Sequence, residues 1–412
     1  MKVKQWTAGL AAVGLVSLPA LVQAEEKASA VMTALSSTTI SGYVDTSAQW
    51  DIGTGNANPP GFIYNKGKQD GFNLDKVKLR IERPLDESQW AAGYRVDLLF
   101  GPDANTFGST SSGLSTADLA IQQAYVALRA PVLNNLDFKV GVFDSVIGYE
   151  SHDSINNPNF TRSYGTTIEP HTHTGILVTY QAADWLGLAV GIANTVGPTI
   201  NARAFNNPSG NNKAESYKSY MASFALTAPD NLGFLKGSTF YGGVVSGFNG
   251  NTNSVGSAAS GFTGVDQTSW YAGSTIATPL SALKLGASYD YLGIGTQANV
   301  VNPYYANAAA LYASIEATEK LSFHTRAEYF WQRPASGVAT LPAKVFALTE
   351  TLQYDLWKNV LSRLEIRWDH QAGTANPGVG IADRAYGGDP SGTGLPSKKN
   401  AVLVAANLIY KF

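Results

Sequence analysis

The chain has 412 residues, no cysteine, and 29 basic against 31 acidic side chains, for a formal charge of −2. Without thiols it has neither a disulfide framework nor a thiolate metal site, and its near-neutral balance offers no basic surface for nucleic acid. Only 15% of residues are charged, 41 are glycine and mean hydropathy is −0.08, a composition that transmembrane barrels, β-sandwiches and β-helices share.

The chain opens with MKVKQWTAGLAAVGLVSLPALVQA. Lys2 and Lys4, an apolar run interrupted by Pro19, and Val22-Gln23-Ala24 read as a cleaved secretory signal peptide over residues 1–24. Its removal leaves 27 basic and 31 acidic residues, a charge of −4. Residues 25–37, EEKASAVMTALSS, form a short lead without an assigned role. The remainder has no apolar run near the ~20 residues a membrane helix needs. A membrane location therefore requires a closed barrel.

From Thr38 the chain alternates with period two. The sixteen runs start near Thr38, Asn73, Gln89, Leu119, Leu136, Thr174, Leu186, Ser216, Leu235, Gln267, Leu283, Tyr305, Leu321, Lys344, Val360 and Asn400. Short connectors such as Pro84 to Ser88 alternate with long ones rich in Gly, Asn, Ser and Pro, such as 52–72 and 371–398. Short turns on one rim and long loops on the other predict an all-β fold, a transmembrane antiparallel barrel of about 16 strands over 38–412. Fourteen or eighteen strands stay open, because 371–398 has room for a hairpin and one weak run could be a loop.

Charges sort by parity within the runs. Lys76, Lys78, Arg80 and Glu82 oppose Val77, Leu79 and Ile81, while Arg363, Glu365, Arg367 and Asp369 oppose Leu364, Ile366 and Trp368. A Lys or Arg at the lipid midplane costs about 2–4 kcal/mol, so these columns are expected to face water inside the barrel. Leu119 to Ala130 is less regular and Glu350 falls on the apolar parity, which predicts bulges or shifted strand boundaries there. Trp50, Trp90, Trp185, Trp270, Trp331, Trp357 and Trp368 lie near strand ends, at headgroup level. AVLVAANLIYKF ends the chain on Phe412, which looks like the signal read by the barrel-assembly machinery.

One connector differs from the rest. Asp144 to His173 holds three of the five histidines and four carboxylates, and follows no period. Gly141-Val142-Phe143, Gly148-Tyr149-Glu150, Asn159-Phe160-Thr161-Arg162-Ser163 and His173-Thr174-Gly175 resemble the OmpL-like β-barrel porins of Gram-negative bacteria. The resemblance covers the mature chain in layout, and this segment and the last strand in motif. It implies an outer-membrane channel for passive diffusion of small hydrophilic solutes and ions, with 144–173 folded inward as a constriction. On that loop stand Asp144, Glu150, His152, Asp153, Arg162 and Glu169. The basic wall opposite is Lys76, Lys78, Arg80, Arg95, Arg326, Arg363 and Arg367. Either the two sets face each other across water and set up a transverse field, or carboxylates between the wall cations neutralise them.

The implied partners are outer-membrane lipid and lipopolysaccharide, the assembly machinery and small solutes; a homotrimer is the habit of porin relatives. No enzyme activity, cofactor or metal is expected. His171 and His173 lack a third ligand at reliable spacing, and His152 with Ser154 does not by itself make a nucleophile and base. The alternative function is a barrel with a closed lumen, acting through its loops as an adhesin or receptor. A secreted glycan binder would instead be soluble without detergent.

Overall fold

The computed structural model describes residues 31–32, 37–53, 58–60, 68–109, 118–204, 216–248, 266–295, 304–333, 342–373, 384–388 and 395–412. The proposed export segment and most of the lead lie outside the described residues, as do parts of seven long loops.

Sixteen strands form one antiparallel ring: β1 (Thr39–Asp51), β2 (Gly71–Arg83), β3 (Ala91–Phe100), β4 (Leu119–Ala130), β5 (Leu136–Asp144), β6 (Thr172–Ala183), β7 (Leu186–Ala193), β8 (Ser219–Thr227), β9 (Thr239–Phe248), β10 (Asp266–Ala277), β11 (Leu283–Ile294), β12 (Tyr304–Glu316), β13 (Leu321–Arg333), β14 (Lys344–Trp357), β15 (Val360–Gln371) and β16 (Asn400–Lys411). Each strand pairs with the next, and β16 closes onto β1 from Leu403↔Asp51 to Lys411↔Tyr43. A two-residue strand, Val31–Met32, continues the β1 ladder where β16 ends. At the seam, Phe412 and Gly42 exchange backbone hydrogen bonds of 2.9 and 3.0 Å.

Val, Ile, Leu, Tyr and Trp on one parity form an outward apolar band, the pattern of a barrel whose outside meets lipid. Trp90, Trp185 and Trp357 mark the short-turn rim, and Trp50, Trp270, Trp331 and Trp368 the long-loop rim. All but Trp331 are exposed.

The irregular parity of β4 has the expected cause. Asp97↔Gln123 is followed by Leu98↔Ile121, so Gln122 is an extra residue and both glutamines turn inward. A similar bulge between β1 and β2 sends Asp75 and Lys76 inward together. Glu350 is different, since β14 stays in register there and bulges only at Asp355/Trp357. Its carboxylate stands on the outer face and accepts a 2.7 Å hydrogen bond from the Thr325 hydroxyl of β13, so local pairing replaces the expected bulge. The run expected near Leu235 begins as a 3-10 turn, Asp230–Leu235, and the strand starts at Thr239.

Candidate functional site

The loop between β5 and β6, Ser145 to His171, is described throughout; 21 of its 27 residues are buried and none is exposed. It begins after Gly141, whose φ of +138° and close approach to the Ala124 carbonyl suit glycine alone. One short helix, α1 (Tyr164–Ile168), lies within it, and Ser163 caps that helix by accepting from the Thr166 N–H at 3.2 Å.

Segment 159–164 is clamped to β13, β14 and β15 through its backbone. Arg326 donates to the carbonyls of Thr161 and Arg162 at 2.8 and 3.2 Å, and Arg367 donates to that of Arg162 at 2.6 Å. Glu365 accepts from the N–H groups of Phe160 and Thr161 at 2.6 and 2.9 Å, and Glu328 from that of Tyr164 at 2.7 Å. Asn159 reaches the Thr351 hydroxyl at 2.7 Å. Arg363 holds the carbonyls of Ser154 and Asn157 at 3.0 and 2.5 Å. The wall thus grips the loop's main chain with both signs of charge, a use that requires alternation rather than separation.

Two loop carboxylates complete the clamp. Glu150 pairs with Arg326 at 2.7 Å, with both side chains essentially buried. Asp153 binds Lys78 and Arg80 of β2 at 2.5 and 3.1 Å, and accepts from the Tyr43 hydroxyl of β1. Burial alone would raise the Asp153 carboxyl, but Lys78 and Arg80 overcome it and hold it far below the usual carboxylate range.

A few residues away, the loop meets the opposite wall. Tyr149 stacks on Tyr312 of β12 with ring centroids 4.1 Å apart. Ile147 lies over Gly243 of β9, where an added Cβ would come within 2.6 Å of it. With Val146 these side chains join Leu177, Ala189, Ala193, Met221, Val245, Tyr271 and Ala310 in one buried apolar cluster. In a ring of sixteen, β2 and β10 stand eight strands apart, so a loop that touches β1–β2 with Asp153 and β9–β12 with Ile147 and Tyr149 crosses the bore.

Of the two arrangements open to the loop and the wall, these contacts resemble the neutralised one more than the separated field. Lys76, Lys78, Arg326, Arg363 and Arg367 point inward, yet they are buried against protein rather than facing water. Opposite charges meet in direct ion pairs instead of across an aqueous gap, because the wall cations are long enough to reach the loop. Lys76 donates to the His152 carbonyl at 2.8 Å and lies 4.5 Å over the Phe107 ring. Arg95 turns from the loop to Asp97 at 2.7 Å. Asp144 pairs with His152 at 3.3 Å, and buried Arg162 donates to the Phe160 carbonyl and the Ser154 hydroxyl at 3.5 and 3.4 Å and lies 5.5 Å over the Phe107 ring. Glu169 meets no basic residue among those described; its carboxyl group lies beside that of Asp290 of β11.

The histidines divide. His171 packs edge-on to His152 at 4.9 Å and beside Phe107, whereas His173 turns to Phe143 and the Ser145 hydroxyl. Burial, with His152 adding to it, pushes the His171 imidazole down to about 4.

Sequence reasoning missed the apolar half of this site. Its signal was present in LGLAVGIA of β7, where neither parity is polar, and in the consecutive inward Ala306, Ala308 and Ala310 of β12. A strand apolar on both faces packs on both faces.

A family model described as "Putative beta-barrel porin-2, OmpL-like" matches residues 37–412. The chain belongs to the OmpL-like β-barrel porin family. Solved structures similar to this porin include the outer-membrane channel DcaP of Acinetobacter baumannii, at 12% identity and TM-score 0.57 over 91% of this chain and 97% of that one. An anion-selective porin from Comamonas acidovorans gives 11%, 0.57, 91% and 99%, and in-vitro folded OmpT of Vibrio cholerae 12%, 0.54, 93% and 100%. At these identities the likeness is one of fold. The porin has no significant match among curated proteins.

Proposed function

We propose that this porin is exported by a 24-residue signal peptide, assembles in the outer membrane and forms a water-filled channel for small hydrophilic solutes and ions. The observation that carries the reading is the arrangement of Ser145–His171, fixed across a sixteen-strand bore while the inner face of β2–β5 keeps access to solvent. On that face the Arg80 and Arg95 side chains are 24% and 15% exposed. Lys139 is half-buried, with its ammonium 5.1 Å over the Tyr125 ring. Asp97, the carboxylate partner of Arg80 and Arg95, is set behind them with no exposure. Solute would pass between this face and the loop, so the loop's backbone clamp fixes the narrowest section. The chemistry is physical transport, with no bond made or broken. Phe412, held at the β16–β1 seam, is the residue through which assembly machinery would read the last strand, and lipopolysaccharide would meet the long-loop rim.

Liposome swelling tests the reading. Vesicles holding the porin should admit small neutral sugars and discriminate against larger ones; vesicles that stay closed to all sugars would exclude diffusion and favour a barrel that acts through its loops.

A further inference from the structure

The loop's second anchor differs in kind from its ion-paired clamp. Glu169, two residues before the loop ends, meets Asp290 on the inner face of β11, with the two carboxyl groups close enough to share a hydrogen bond. Asp290 is 3% exposed, while Glu169 keeps part of its surface open. Glycine lies against each partner. A Cβ at Gly148 would come within 2.5 Å of the Glu169 carboxylate, and one at Gly165 would collide with that of Asp290. Gly148 also has a φ of +123°. The chain thus lacks side chains where they would keep these two acids apart.

No Lys, Arg or His among the described residues pairs with either acid. The groups facing them are Tyr149, whose backbone N–H donates to Glu169, and Glu150 on the loop, Tyr271 of β10, Tyr289 of β11 and Glu328 of β13. Of these, Glu150 and Glu328 are held by Arg326, and phenols ordinarily titrate near 10. Two carboxyls in contact cannot both ionise at low cost, so the contact requires one shared proton. Burial first, and then Asp290 and Glu150, hold the Glu169 carboxyl well above its ordinary range.

We propose that the Glu169–Asp290 pair is a proton-dependent latch, which holds the loop on β11 while one proton is shared and releases it when base removes that proton. The sign follows from linkage: a proton bound more tightly in the docked state favours docking below the raised value, and the preference fades as pH rises through it. The exposed part of Glu169 gives lumen water access to the pair. The clamp on β13–β15 is built from Arg–carboxylate pairs and backbone hydrogen bonds rather than from two acids in contact, so the segment around α1 would lift while 159–163 stays anchored. This inference concerns regulation of the channel and rests on the porin reading.

The test is single-channel recording across neutral to alkaline pH, beside hydrogen–deuterium exchange of residues 164–171, on wild type, Glu169→Gln and Asp290→Asn. Wild type should open further with base, by up to about tenfold in open-to-closed ratio per pH unit, the limit for one proton. Both variants keep a hydrogen-bonding side chain of the same size without two titrating acids, so both should be flat. Wild type that does not respond to base, or variants that respond as wild type does, would overturn the latch. A barrel that is silent at every pH removes the porin reading instead. Exchange still decides the latch in that case: base-induced exchange in wild type alone supports it, and its absence refutes it.

Discussion

Replacing Arg326 with methionine should free the loop without dismantling the barrel. Arg326 makes six hydrogen bonds: to the carboxylates of Glu328 and Glu150, to the carbonyls of Thr161 and Arg162, and to the hydroxyls of Thr161 and Thr349. Methionine keeps much of the aliphatic volume, so the main loss is electrostatic. Breaking a buried pair by removing one partner costs about 3–5 kcal/mol. The uncovered carbonyls can recover hydrogen bonds from water once the loop loosens, so only the pair's cost is counted. At 1.4 kcal/mol per factor of ten, the docked-to-released ratio falls by roughly two to three and a half powers of ten. The strand ladders do not depend on this side chain, so heat-resistant migration on gels should persist. Planar-bilayer recordings of Arg326→Met should then show larger, noisier steps than wild type. Folded Arg326→Met with wild-type conductance and noise would refute the idea that ion pairs to the wall hold the loop in place.

Lys139→Glu should move the reversal potential in a salt gradient toward cations, whereas Arg326→Met should leave its sign alone; no shift in Lys139→Glu would exclude the β2–β5 face from the path. Acid should loosen the loop near its hinge: His171 is held near 4 when docked against about 6.5 when free, so its contribution to docking falls as pH drops below the free value and levels off near the docked one. Exchange of residues 145–171 should accordingly rise between neutral pH and about pH 5, and less in His171→Gln; equal exchange in both would count against the assignment. Glu350→Leu removes an acid from the outer face and should raise unfolding stability in vesicles by up to about 2 kcal/mol, given a somewhat smaller penalty for Glu than for Lys or Arg. A loss of stability there would mean that a second molecule covers that face. Deleting Phe412 removes two backbone hydrogen bonds at the β16–β1 seam and should lower the yield of folded barrel, read as the heat-modifiable band.

Strand positions were legible because lipid enforces parity. β4, β5, β7, β11, β13, β14, β15 and β16 begin at the residues where the alternating runs begin. The Gln122 bulge was legible for the same reason, since a slipped parity has to be absorbed somewhere. Glu350 was not, because one outward carboxylate with a threonine partner looks in sequence like a register fault. The direction of Lys78, Arg326 and Arg367 could be read, but their surroundings could not: parity separates inside from lipid, yet it cannot separate water from a loop folded into the bore. That distinction depends on contacts between residues far apart in sequence, such as Arg326 with Glu150 and Arg363 with Asn157. Asp290 carried no signal, since a lone inward acid on β11 looks like any wet wall residue until Glu169 is placed beside it.

A porin with this loop tied across its bore must still keep a water-filled path beside it. Single-channel conductance of the refolded protein in a planar bilayer, under a salt gradient, tests it most directly. An open path gives stable, roughly ohmic steps, with a reversal potential that responds to Lys139 and a step size that responds to Arg326. Correctly inserted barrels that pass no current would contradict it and make the loop a plug.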